Sequence, residues 1–64
     1  MFMNIEVERL RRNMRKEDLA ARLSVPVGTL NAWINGRRGI PADKLRALSR
    51  LFGCSVDYLL KERR

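Results

Sequence analysis

Residues 16–35 read KEDLAARLSVPVGTLNAWIN, and this stretch decides the fold. Leu19, Ala20 and Leu23 fall on one side of a helix, and Leu30, Trp33 and Ile34 on one side of another. Between them stands Ser24-Val25-Pro26, a short turn whose Val25 plugs the gap between the two helices. Ala20 is small where the second helix crosses closest to the first. The spacing therefore predicts two short helices packed at a fixed angle. Trp33 shares a face with Leu30, which favours a core plug over a base-stacking platform as the reading of its indole.

Two crossed helices joined by a turn of about three or four residues describe a helix-turn-helix, which lays its second helix in the major groove of DNA. The charge balance suits a polyanionic partner: 14 Lys and Arg against 7 Asp and Glu give a net charge of +7 and a pI near 11.1. Most of these cations are Arg, whose planar fork grips phosphate better than an ammonium does. At 64 residues the chain is expected to form one domain, residues 1–64, whose small core buries only about 60% of the unfolded surface.

Other functional classes lack their chemistry. The chain has no His and one Cys, so the commonest general base is missing and a zinc site cannot be built. The run Asn35-Gly36-Arg37-Arg38-Gly39 lacks the strand and the spacing of a phosphate loop. Glu17-Asp18 is explained by the dipole of a helix's first turn. No enzyme, no cofactor and no metal is expected. Cys54, in the turn Phe52-Gly53-Cys54-Ser55, reads as a half-buried structural thiol, and a single thiol fits a reducing compartment. Met1-Phe2-Met3 is too short for a signal peptide, and no run approaches the ~20 residues of a membrane span. A cytoplasmic protein is expected, with no membrane partner, because a core takes up the apolar positions.

Outside the motif the local signals predict three more helices and no strand. Asn4 caps a first helix running to about Arg12, with Glu6 and Glu8 suited to its first turn. Asn13 breaks it in a left-handed conformation, after which Met14 folds back as an anchor. The second helix, 16 to about 23, starts on a poorly capping Arg15. The third runs from Pro26 or Val27 to about Ile34, with Pro26 at its first position and Gly36 as its left-handed stop. Pro41 opens a fourth helix that Gly53 stops after Leu51 or Phe52. Ser55 caps a short fifth, from Val56 to about Lys61, and residues 62–64 are expected to fray. The predicted core is Ile5, Leu10, Met14, Leu19, Ala20, Leu23, Val25, Leu30, Trp33, Ile34, Leu45, Leu48, Leu51, Val56 and Leu59. The fold class is all-α.

Leu19-Ala20, Val25, Trp33-x-Asn35-Gly36-Arg37, Pro41 and Ser55-Val56-Asp57-Tyr58-Leu59-Leu60, in that order and spacing, resemble the Cro/cI-repressor type of helix-turn-helix, the XRE family. The resemblance spans roughly residues 5 to 60. It implies a compact five-helix bundle of the lambda-repressor type, with the helix-turn-helix formed by helices 2 and 3. It also implies a bacterial or phage transcriptional regulator that binds palindromic operators as a homodimer. Three positions depart from the family pattern. Ser24 stands where Gly is usual, which costs about 1 kcal/mol if the backbone is left-handed. Ile34 replaces a frequent Glu, leaving Arg9 to find Glu17, Asp18 or a phosphate instead. Lys16 replaces a frequent Gln, exchanging a neutral phosphate contact for a charged one.

At about 100° per residue, Gly28, Asn31, Ala32 and Asn35 face outward on the third helix, with Thr29 at the boundary and Val27 at the leading end. The resemblance implies base contacts from Val27, Gly28 and Ala32, helped by Asn31. None offers the bidentate fork of Arg or Gln. In one account Val27 and Ala32 touch thymine methyls, Asn31 addresses an adenine edge, and Gly28 lets the backbone approach closely. In the other these are merely small surface residues. Arg15, Lys16, Thr29, Asn35, Arg37 and Arg38 are the candidate phosphate contacts, with the amides of a helix N-terminus adding to the first cluster. Arg37-Arg38 also reads as a solvated pair beside a helix C-terminus, and Arg11, Arg12 and Arg46 read equally as phosphate contacts or as ordinary surface charges.

A single module makes one groove contact, so a homodimer on two half-sites is expected. Tyr58 and Leu60 of the fifth helix are the first candidate surface and Met1-Phe2-Met3 the second. The alternative function is a non-catalytic protein-interaction module, antitoxin-like or adapter, on the same scaffold. The hydrogen-bond-poor face of the third helix is the feature that suggests it.

Overall fold

Among the described residues, four with positive φ divide the chain: Asn13 (53°), Ser24 (57°), Gly36 (78°) and Gly53 (63°). Each stands just past a helix end in the computed structural model, which describes residues 1–62. The helices are α1 (Met3–Arg11), α2 (Lys16–Arg22), α3 (Val27–Asn35), α4 (Ala42–Phe52) and α5 (Val56–Leu59), with no strand among the described residues. After each left-handed residue the next amide turns back to a carbonyl five residues earlier: Met14 to Arg9, Val25 to Ala20, Arg37 to Ala32 and Cys54 to Ser49. This closure satisfies carbonyls that a helix end would leave unpaired. Two of the four positions lack glycine. Ser24→Gly should therefore stabilise the domain by about 1 kcal/mol and raise its Tm by about 4–8 °C, read by a circular-dichroism melt.

The helix starts follow from cheaper devices. Pro26 and Pro41 stand at N-cap positions with extended backbone, one residue before the helix position expected for Pro26, and their carbonyls accept the first helical bonds from Leu30 and Leu45. Ser55 Oγ accepts from the Tyr58 amide at 3.1 Å and caps α5. Arg15 has no acceptor to cap α2 with, but the Asp18 carboxylate reaches back to the Arg15 amide at 2.9 Å. That contact is the largest reason the Asp18 carboxyl titrates below its ordinary value. The α5 helix ends at Leu59, two residues short of the expected end. Residues 63–64 of the tail expected to fray lie outside the described residues, and Glu62 is exposed.

The packing places α1 against α3 and α5, α2 against α3, and α4 against α5. The buried core is Ile5, Leu19, Ala20, Leu23, Leu30, Trp33, Ile34, Leu48, Phe52 and Leu59. Met14, Val25 and Leu51 pack against it half-buried, whereas Leu45 and Val56 lie half-buried outside it. Leu10, expected inside, is 61% exposed. It stands five residues after Ile5, about 140° round the helix, so the two cannot share a face. Phe52 takes the core position that the sequence reading left empty.

Asn4 is a second correction. The helix begins one residue before it, and Asn4 is 1% exposed, donating Nδ2 to the Tyr58 carbonyl at 2.7 Å. Arg9 is a third, because it meets neither Glu17 nor Asp18. It donates Nε to Glu6 at 2.7 Å and Nη1 to the Met14 carbonyl at 2.6 Å, holding the chain reversal after Asn13.

Tyr58 is also turned inward, against the expectation of a free dimer surface. Its hydroxyl donates to the buried Glu8 carboxylate at 2.8 Å, and Arg12 and Arg11 donate to the same group at 2.9 and 3.1 Å. Arg12, followed by Tyr58, holds the Glu8 carboxyl below its ordinary value, and the same contact pushes the Tyr58 phenol up. A carboxyl with a lowered folded pKa stabilises the fold above its unfolded pKa and loses that contribution as pH falls through the lowered value. Glu8→Gln should lower Tm at neutral pH and flatten the acid limb of a Tm-against-pH series. A limb as steep as the parent's would count against this role.

Candidate nucleic-acid interface

The α2–turn–α3 unit is held from three sides. Leu19, Ala20 and Leu23 meet Leu30, Trp33 and Ile34 in a seam where no residue exceeds 3% exposure. Val25 fills the turn half-buried, and its amide closes on the Ala20 carbonyl at 3.0 Å. Lys44 Nζ of α4 reaches the Leu23 carbonyl at the end of α2 at 2.6 Å. The Phe2 amide, at the start of α1, reaches the Ile34 carbonyl near the end of α3 at 2.8 Å. Both helices of the unit thus have their C-terminal carbonyls anchored to neighbours, which fixes the angle at which α3 is presented.

The outer side of α3 is uncharged and chemically uncommitted. Gly28 and Asn35 are exposed, and Thr29, Asn31 and Ala32 are half-buried. Among the described residues, no side-chain hydrogen bond within the protein involves Thr29, Asn31 or Asn35, so their polar atoms face water or a ligand. Val27 differs from the expectation, since it packs half-buried against the core and offers only part of its surface. A Cβ at Gly28 would meet nothing within 4 Å. Packing within the protein does not ask for glycine there, although glycine inside a helix costs about 1 kcal/mol. Among the described residues no side chain caps the N-terminus of α3, leaving the Val27 and Gly28 amides open to an anion.

The expected phosphate contacts fall into two groups. Arg37 and Arg38 are exposed and belong to no ion pair among the described residues, while their amides close the end of α3 on the Ala32 carbonyl at 2.9 and 3.4 Å. Arg15 and Lys16 each have a carboxylate nearby: Asp18 at 3.5 Å from Arg15 and Glu6 at 3.6 Å from Lys16. Arg46 is exposed and unpaired among the described residues. Arg12 is committed to structure, bonding Glu8 and the Phe52 carbonyl with its guanidinium 4.9 Å from the Phe52 ring centre.

Lys44, Arg12 and Glu8 are structural supports that carry no signal in the local sequence. Their partners lie as much as 50 positions away, and a cation suited to a distant helix end leaves no local signal. Cys54 is free and half-buried, with burial pushing its thiol up. No helix of the described residues is long and apolar enough to cross a membrane.

The crossed, anchored α2 and α3 with an exposed outer face on α3 make a helix-turn-helix. A family model described as helix-turn-helix matches residues 5–59, and the chain belongs to that family, the Cro/cI-type XRE class of non-catalytic DNA-binding regulators. No curated protein and no solved structure matches the chain.

Proposed function

We propose that the chain is a sequence-specific repressor of bacterial or phage type that acts in the cytoplasm on a palindromic operator, as a homodimer with one α3 in the major groove of each half-site. The observation that carries this reading is the pairing of an uncharged, uncommitted α3 face with two unpaired guanidinia, Arg37 and Arg38, directly at its C-terminal end. Such a surface divides the labour: Gly28, Asn31, Ala32 and the exposed part of Val27 meet base edges. Arg15, Lys16, Thr29, Asn35, Arg37 and Arg38 meet phosphates on the two flanks. Arg15 and Lys16 would exchange their carboxylates for phosphate on binding, so Arg37 and Arg38 carry the larger share of affinity.

Arg37→Ala is expected to weaken binding to all duplexes alike and to flatten the slope of log affinity against log salt by about one unit. A slope equal to the parent's would remove Arg37 from the phosphate contacts. Selection of bound sequences from a random duplex pool tests the whole reading, with an enriched palindrome as the expected result. The absence of any enriched sequence would favour an antitoxin-like or adapter module. That second reading draws on the poverty of hydrogen-bonding side chains at Val27, Gly28 and Ala32.

A further inference from the structure

The first helix carries apolar residues on both of its sides. Ile5 faces the core at 0% exposure, whereas Met3, Val7 and Leu10 follow the i, i+4, i+7 spacing of the opposite side. Leu10 at 61% and Met1 at 50% are the exposed large hydrophobics of the described residues, and both lie on this helix or at its start. Met3 and Val7 are half-buried yet are not among the apolar side chains packed against the core. The charges beside the stripe are already paired, Glu6 with Arg9 and Glu8 with Arg11. The side chains of residues 1–11 contain two carboxylates and two guanidinia and so sum to no net charge, in a chain whose net charge is +7. Most other surfaces would set like charge against like when two copies meet.

We infer that the outer stripe of α1 is the surface on which a second copy of this chain docks, with Met3, Val7 and Leu10 facing their counterparts across a two-fold axis. A two-fold contact uses the same patch on both copies, so an apolar, charge-settled stripe is self-complementary where a basic one is not. The proposal rests on the reading that two copies share an operator, and it moves the interface from Tyr58, which Glu8 holds inward, to α1. The patch is small, so the free dimer is weak and DNA strengthens it by holding two copies together.

Sedimentation of the full chain from about 5 to about 500 µM, a range set by the weakness of small interfaces, should show the parent passing from monomer to dimer. Leu10→Glu should remain monomeric, with its dissociation constant raised at least about tenfold. Because Leu10 is exposed, the variant should keep the parent's melt. Amide shifts of the parent on dilution should cluster on residues 3–11, which tests the surface even if the variant fails to fold. A parent that stays monomeric both free and on operator duplex would overturn the proposal, as would a dimeric Leu10→Glu or shifts confined to α5. Failure of the DNA reading looks different: the parent would dimerise through α1 and bind no duplex.

Discussion

Trp33→Ala should leave the chain without a cooperative thermal transition at or slightly above room temperature. Trp33 is 3% exposed and sits in the seam between α2 and α3, so truncation opens a void that neighbouring helices cannot fill without giving up their own contacts. Loss of a buried Trp costs about 3–5 kcal/mol. A domain of this length has a total stability of about 3–10 kcal/mol, at about 0.05–0.15 kcal/mol per residue. The substitution therefore consumes much or all of what holds the fold. Circular dichroism provides the readout, since the variant loses the chain's single Trp and with it the fluorescence signal. Trp33→Phe, which keeps an aromatic ring in the seam, should retain a cooperative melt at lower temperature. A native-like melt for Trp33→Ala together with lost DNA binding would show a base-stacking indole and overturn the core assignment.

The parts of this fold that were legible in the sequence are those written in local terms. Apolar spacing on α2 and α3, the left-handed stops at Gly36 and Gly53, and the Ser55 cap each need only four or five neighbouring residues to read. Leu10 and Phe52 show where that reading ends. Both are large and apolar, but Leu10 lies about 140° round α1 from Ile5 and faces water, whereas the placement of α4 on the bundle turns Phe52 into the core. Asn4, Glu8 and Tyr58 belong to the same class. Asn4 has the chemistry of an N-cap, but a carbonyl 54 positions away claims its amide. The candidate site divides the same way. Spacing alone identified the outward residues of α3, but which cations are free to meet phosphate depends on which are already paired. Arg12 and Arg37 look alike in the sequence; Phe52 and Glu8 occupy the first, and nothing among the described residues occupies the second.

Gly28→Leu should raise the stability of the protein and lower its affinity for operator in the same substitution. The gain follows from the helix: glycine costs about 1 kcal/mol in a helix interior, and relieving the part of that cost that applies at the second position of α3 raises Tm. A Cβ at this position meets no atom within 4 Å, so the new side chain leaves the backbone into open space. The loss follows from the proposed docking. If α3 lies in the groove with its backbone close to the bases at Gly28, a Leu side chain must push the helix outward. Neighbouring contacts then lengthen together, and an affinity loss of at least about tenfold, or 1.4 kcal/mol, is expected. Gly28→Ala should fall between parent and Leu on both measurements. The opposite signs separate this effect from misfolding, which would lower stability and affinity together. A Gly28→Leu protein that melts higher and binds operator as tightly as its parent would mean that this part of α3 does not approach the bases. Gly28 would then be only a small surface residue, and specificity would have to come from Asn31 and the flanking contacts.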